Sequence, residues 1–524
     1  MQWCSLLLAL SLMTGLRAVE PIRVATQSEW TTLNPLLLSQ DVDVEAIDLL
    51  FDRLVTIDAE GNFIPEMLES WTILNGGREV LLKLRPGLQW HDGQPIEAED
   101  VVFTWRALKL PRVRAVADTA GGVTSFERVV AEGPLTIRIY LARPRGTLLS
   151  DLYNLIPVPR RLYEVPAKPL LAPVNFQPVG SGPYRLVGKG SAKHISLERW
   201  PGYRGIHGGI WPAFEISDPG NIQAKEVLPA IMNAHMHFLT VGPMRYYLVR
   251  KGGEGAGLVQ AVSLPQASLS LIYLNCDPRL SLLGEKALRK ALAELIPWKE
   301  LARGTRFLPA SRATSFWPPV MWAHDTSPQP LPSPDRAAAL LDAAGWRLGP
   351  DGLRHNPMGK ALVLTGYDYK DSGNRSMLKL LATNALKVGF KINVKEVSTE
   401  ELGRKIVTHV GDLWPNGWQM SLDPDVDSAL FTKEGYQTNA NVSRYLNPEV
   451  DRLFDEGRHT LDLEARKKIY LHISAILQED VPLLPLIYQQ SRVLTNRKLQ
   501  GVTYNRFGQS TAFWPGRRAW KLED

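Results

Sequence analysis

The run Ala361-Leu362-Val363-Leu364, followed after a helical stretch from Met377 to Val388 by Lys391-Ile392-Asn393-Val394-Lys395, decides the fold class. A parallel strand pair needs a crossover long enough to hold a helix, and this strand, helix, strand order provides one. The class expected is therefore α/β. Just upstream, Ser333-Pro334-Asp335 supplies an N-cap, a proline at the first helical position and an early acid. Ala337, Leu340, Leu341 and Ala344 then line one face, and Gly345 closes the helix. Further helices are expected from Asn447-Pro448-Glu449 and over Ala465, Ile469, Ile473, Ile476 and Leu477.

Towards the N-terminus, Pro21-Ile22-Arg23-Val24-Ala25 reads as a strand and Leu33-Asn34-Pro35 as a turn. Val44, Ile47, Phe51 and Leu54 recur at helical spacing. Glu79 to Leu84 is a strand stopped by Arg85-Pro86-Gly87, and Leu135 to Tyr140 alternates as a strand does. Glu97, Glu99 and Asp100 open a helix whose Val101, Trp105 and Leu108 share a face; acids at that end suit the helix dipole. At 524 residues the chain exceeds what one core can organise, so at least two lobes are expected.

Apolar residues make up 44% and charged residues 22%, the balance of a folded globular chain. The net charge of +6 is spread without a basic cluster, which argues against a nucleic-acid partner. Residues 1–18 contain an apolar run too short to span a bilayer and end in Gly15-Leu16-Arg17-Ala18, near a small-x-small cleavage pattern. They read as a signal peptide. Without them only Cys276 remains of the two cysteines, so neither an intramolecular disulfide nor a cysteine zinc site is available.

No Gly-x-Ser-x-Gly, His-Glu-x-x-His, phosphate-loop or Cys-x-x-Cys motif is present, which lowers the expectation of an enzyme. His235-x-His237 lacks a third ligand at metal spacing, and neither a metal nor a cofactor is expected. Asp423, Asp425 and Asp427 alternate, but Pro424 interrupts them and no calcium-loop glycine or glutamate completes the pattern; capping competes with cation binding. Trp414-Pro415-Asn416-Gly417-Trp418 places two large rings around a turn, either presented to a ligand or packed in the core.

The ordered segments resemble the extracellular solute-binding proteins for peptides and nickel in ATP-driven importers. They run from Leu33-Asn34-Pro35 through Ile64 to Trp71, Leu84 to Pro95, Gly180-Ser181-Gly182-Pro183-Tyr184, Tyr273-Leu274-Asn275 and Ala337 to Trp346 to Glu479-Asp480-Val481-Pro482. The resemblance implies a two-lobed periplasmic binding protein clamp, of type II and cluster C-like, with an extra inserted N-terminal domain. The expected division is lobe I from residues 19–46, 176–262 and 490–524, the inserted domain from 47–175, and lobe III from 263–489. It also implies a small solute held between the lobes, with a peptide foremost and a metal chelate as the alternative. An inner-membrane permease is the implied partner, the location periplasmic and the state monomeric. Peptide-binding relatives carry a carboxylate for the α-amino group three residues after the late Gly-Trp; here that position holds Ser421, with Asp423 two residues on. The expected cleft residues are Asn34, Tyr273, Asn275, Trp414, Trp418, Ser421 and Asp423.

Overall fold

The computed structural model describes residues 19–114, 122–164, 173–220, 222–253, 257–304, 311–370 and 376–523. The expected signal peptide lies outside them. Val363–Tyr369 and Lys391–Val397 pair in parallel over seven residues, Val363 opposite Lys391 and Tyr369 opposite Val397. Helix Met377–Leu386 makes the crossover, its first turn closed by the Ser376 side chain accepting from Lys379 N. The first strand starts two residues later than its apolar run, because Ala361 bridges His355 instead. Leu413–Gln419 joins the other side of Val363–Tyr369, again in parallel.

Two strands far longer than usual tie the molecule together. Val259–Leu274 and Leu483–Asn496, of 16 and 14 residues, run antiparallel as one ribbon. One half of the ribbon carries Leu413–Gln419 along Val259–Leu274, Ser268 opposite Gln419 and Leu274 opposite Leu413. The other half carries Phe238–Thr240, followed by Ile22–Ala25 and Ala213–Ser217 in parallel. The register shifts between Pro265 and Leu269, midway along the ribbon.

The inserted domain is a separate antiparallel sheet in the order Leu68–Leu74, Glu79–Leu84, Thr136–Tyr140, Arg128–Gly133. Helix Ala98–Leu108 backs it with Val101, Val102, Trp105 and Leu108 buried. The domain meets the first lobe through a buried ionic cluster: Arg518 reaches Asp52 at 3.0 Å and Glu66 at 2.9 Å, and Tyr203 donates to Asp52 at 2.9 Å.

Two local expectations are corrected. Helical spacing from Val44 to Leu54 predicts one helix, yet helix Asp41–Ile47 stops early because the Leu49 and Leu50 carbonyls accept Tyr184, Ser181 and Gly182 amides from a distant turn. Trp414 to Trp418 is a strand and not a turn, since seven ladder pairs to Val259–Leu274 outweigh the local turn preference of Pro-Asn-Gly. Among the described residues no helix is long and apolar enough to cross a membrane.

Candidate functional site: the interlobe cleft

Along most of its length the ribbon is buried, but its middle is not. Ala261 to Leu264 and Gln489 to Arg492 are half-buried, between the fully covered Leu269 to Leu274 and Val493 to Asn496. The parallel strands of both lobes end beside this stretch. Thr240 pairs with Val493 on one side, and Gln419 with Ser268 on the other. Crevices outside the carboxyl ends of parallel strands are where open α/β sheets bind ligands.

The floor of this crevice is polar. Ser263 Oγ donates to Gln490 Oε1 at 2.9 Å, Gln266 Nε2 to Gln419 Oε1 at 3.2 Å, and Gln489 to the Ser270 hydroxyl. Arg492 lies opposite Ser263 in the ladder, and its Nη1 donates to the Gln490 carbonyl at 3.2 Å. The polar run Gln489-Gln490-Ser491-Arg492 interrupts an otherwise apolar strand, a signal that sequence reading passed over.

On the lobe III side the half-buried Trp418 stands beside the floor, and Trp317 lies fully buried, joined to it through one carboxylate. Trp418 Nε1 donates to Asp427 Oδ1 at 2.8 Å and Trp317 Nε1 to Asp427 Oδ2 at 3.0 Å. Burial pushes the Asp427 carboxyl up to about 7, since two indole donors offset only part of the lost hydration. The Tyr273 hydroxyl is buried with no hydrogen-bond partner among the described residues, and burial raises its pKa.

The expected site residues divide. Trp418 and Ser421 stand at the end of Leu413–Gln419 beside the floor, both half-buried; the Ser421 hydroxyl has no protein partner among the described residues. Tyr273 lies deeper on the same ladder, opposite Trp414. Asn34, Asn275 and Trp414 are fully buried, and the protein itself takes their polar groups. Asn34 caps Pro35–Leu37 through Leu36 N and donates to Asn175; Asn275 donates to the Gly411 carbonyl; the Trp414 indole donates to the Val410 carbonyl.

Asp423 resolves in favour of capping: it accepts from Asp425 N and pairs with Arg466 through both oxygens, at 2.8 and 2.9 Å. Asp425 is taken by Arg458 at 2.7 Å and Tyr470 at 2.9 Å. His237 Nδ1 accepts from Arg23 N at 2.9 Å, and burial lowers its pKa to about 4, so the ring is neutral and committed to the backbone. Among the described residues no group of three or more His, Cys, Asp or Glu side chains is arranged for a metal ion. A separate cavity of about 290 Å³ is lined by Arg312, Ser315, Phe316 and Phe431 among others.

The inserted domain also reaches the far lobe. Arg143 pairs with Asp455 at 2.9 Å, Gly146 N donates to the Arg458 carbonyl at 2.8 Å, and Arg466 Nη1 donates to the Gly146 carbonyl at 3.1 Å. Two lobes joined by a ribbon, with a polar crevice over the crossing, define a solute-binding clamp. The chain belongs to the bacterial extracellular solute-binding proteins, family 5, matching the family over residues 62–233 and 242–440.

It is 23% identical over 501 residues to the "Probable di/tripeptide-binding protein 5" of Pseudomonas aeruginosa, covering 88% of this chain and 89% of that protein. Among solved structures, NikZ from Campylobacter jejuni in complex with Ni(L-His) matches with a TM-score of 0.79 at 22% identity, over 95% of this chain and 99% of that one. The oligopeptide-binding protein AppA from Bacillus subtilis, in complex with a nonapeptide, matches with a TM-score of 0.75 at 20% identity, over 96% and 99%.

Proposed function

We propose that the protein is the periplasmic receptor of an ABC importer, capturing a peptide or peptide-like solute between its lobes and handing it to an inner-membrane permease. The observation that carries this is the half-buried polar floor over a continuous two-stranded hinge, a place where a solute can touch both lobes at once. Contact with both lobes favours the closed form over the open one, and a permease can read that difference. Relatives with peptide-binding names support the choice of solute. We assign Trp418, Ser421 and Tyr273 to the solute and Asp423 to holding the lobe in shape. We place the lobe boundaries near residues 262 and 489, a division that the course of the two long strands supports. The protein acts as a monomeric binder and not as an enzyme, after removal of residues 1–18.

Native mass spectrometry of protein purified without denaturation tests this directly. A retained small solute of peptide character is expected, and a retained metal chelate would replace the peptide reading. Cleavage of added peptides by the purified protein would overturn the receptor reading.

A further inference from the structure

Arg492 is a cation on the cleft floor with no acid to answer it. It is half-buried, its one hydrogen bond is to a backbone carbonyl, and its Nε is buried without an acceptor. No carboxylate lies within ion-pair distance of it among the described residues, whereas Arg458 and Arg466 each hold one and Arg518 holds two. Partial burial lowers its pKa, the sign expected of an arginine left without a counter-charge.

Gln490 lies two residues away on the same strand face. Its Oε1 is taken by Ser263, which leaves its Nε2 pair of donors free among the described residues. Guanidinium and amide together present the planar donor set that a carboxylate fits.

Across the cleft, the segment around Trp418 and Ser421 offers no uncommitted acid among the described residues. From Asp412 to Asp427 every carboxylate is engaged inside the protein. Asp412 accepts from Ser281 and Thr365 N, Asp423 holds Arg466, Asp425 holds Arg458, and Asp427 holds two indoles. Freeing any of them for a solute would strand a buried donor or cation.

We infer that the cleft selects a solute bearing a carboxylate, held by Arg492 and the Gln490 amide, and that a protonated amine on the solute adds nothing to binding. This rests on the receptor reading above. It turns that reading into a charge preference.

The probe is a set of tri- to pentapeptides in three forms: N-acetylated with a free carboxyl terminus, N-acetylated and amidated, and free at both ends. Binding to the intact protein is followed by tryptophan fluorescence and native mass spectrometry. The acetylated acids should bind, the amides should bind about tenfold or more weakly, and a free amine should give no gain. Arg492→Gln should erase the acid-over-amide preference, and Arg492→Lys should keep part of it. Equal binding of acids and amides, or an unchanged preference in both variants, overturns the carboxylate site and leaves the receptor standing. A clear gain from the free amine overturns the second half of the inference. Binding of no form at all overturns this inference and the peptide reading together.

Discussion

Arg466 and Asp423 face each other in a two-pronged ion pair, 2.8 and 2.9 Å, with both side chains no more than a tenth exposed. The same guanidinium also donates to the Gly146 carbonyl of the inserted domain and to the Gly457 carbonyl of its own lobe. One side chain thus joins the loop after the cleft strand, a helix pair and a neighbouring domain.

Removing one partner of a buried pair strands the other charge. Arg466→Met should therefore cost about 3–5 kcal/mol of unfolding free energy, and Asp423→Asn in the same background should recover much of it. Urea denaturation of the single and double variants checks this; additive losses would show that the two residues are not coupled.

Gly146 is packed so closely that a Cβ there would collide with the Thr460 carbonyl oxygen, and would lie 2.7 Å from Arg466 Cδ. Gly146→Val should wedge the inserted domain away from the helices at 448–480 while leaving each body folded. Small-angle scattering should report a larger radius of gyration in the presence of solute, with weaker binding and a nearly unchanged circular dichroism spectrum.

Asp427 should make the protein less stable as pH rises. Its folded pKa of about 7 lies above the usual aspartate value of 3.8, so in that window the folded state holds a proton that the unfolded chain has released. Its contribution favours folding at pH 4 and is lost as pH climbs through 7. Comparing wild type with Asp427→Asn in urea at pH 5 and pH 8, the wild type should lose on the order of 2 kcal/mol relative to the variant. Parallel pH profiles would mean that Asp427 does not titrate there.

Cys276 is 9% exposed, and burial pushes its thiol up to about 12. In a chain carrying Cys4→Ser, a thiol reagent at pH 8 should leave the native protein unlabelled and modify one sulfur after denaturation. Fast labelling of native protein would place the Leu274 end of the ribbon in frequent local opening.

What sequence alone conveys here depends on how local the cause is. The Ser333 cap and the Lys391 strand are legible because a hydroxyl or an apolar alternation acts within a few residues. Trp414 to Trp418 is misread because its local turn preference is overruled by a strand far earlier in the chain, Leu269 opposite Trp418, 149 positions away. Phe51 and Leu54 are buried as their spacing implies, but they lie beyond the end of the helix, where the turn at residues 180–184 takes the Leu49 and Leu50 carbonyls. Asp423 gives no hint of Arg466, 43 residues on. Arg492 could be noticed only as polarity inside an apolar strand; its lack of a partner is a fact of three dimensions.

The ribbon formed by Val259–Leu274 and Leu483–Asn496 behaves as a leaf spring. Its ladder of hydrogen bonds resists sliding within the sheet, while twist and bend out of the sheet meet little resistance at the uncovered stretch around Pro265 and Gln490. The ribbon therefore lets the two lobes turn relative to each other but not slide past each other. A machine that touches both can read their relative tilt to know whether the clamp is full.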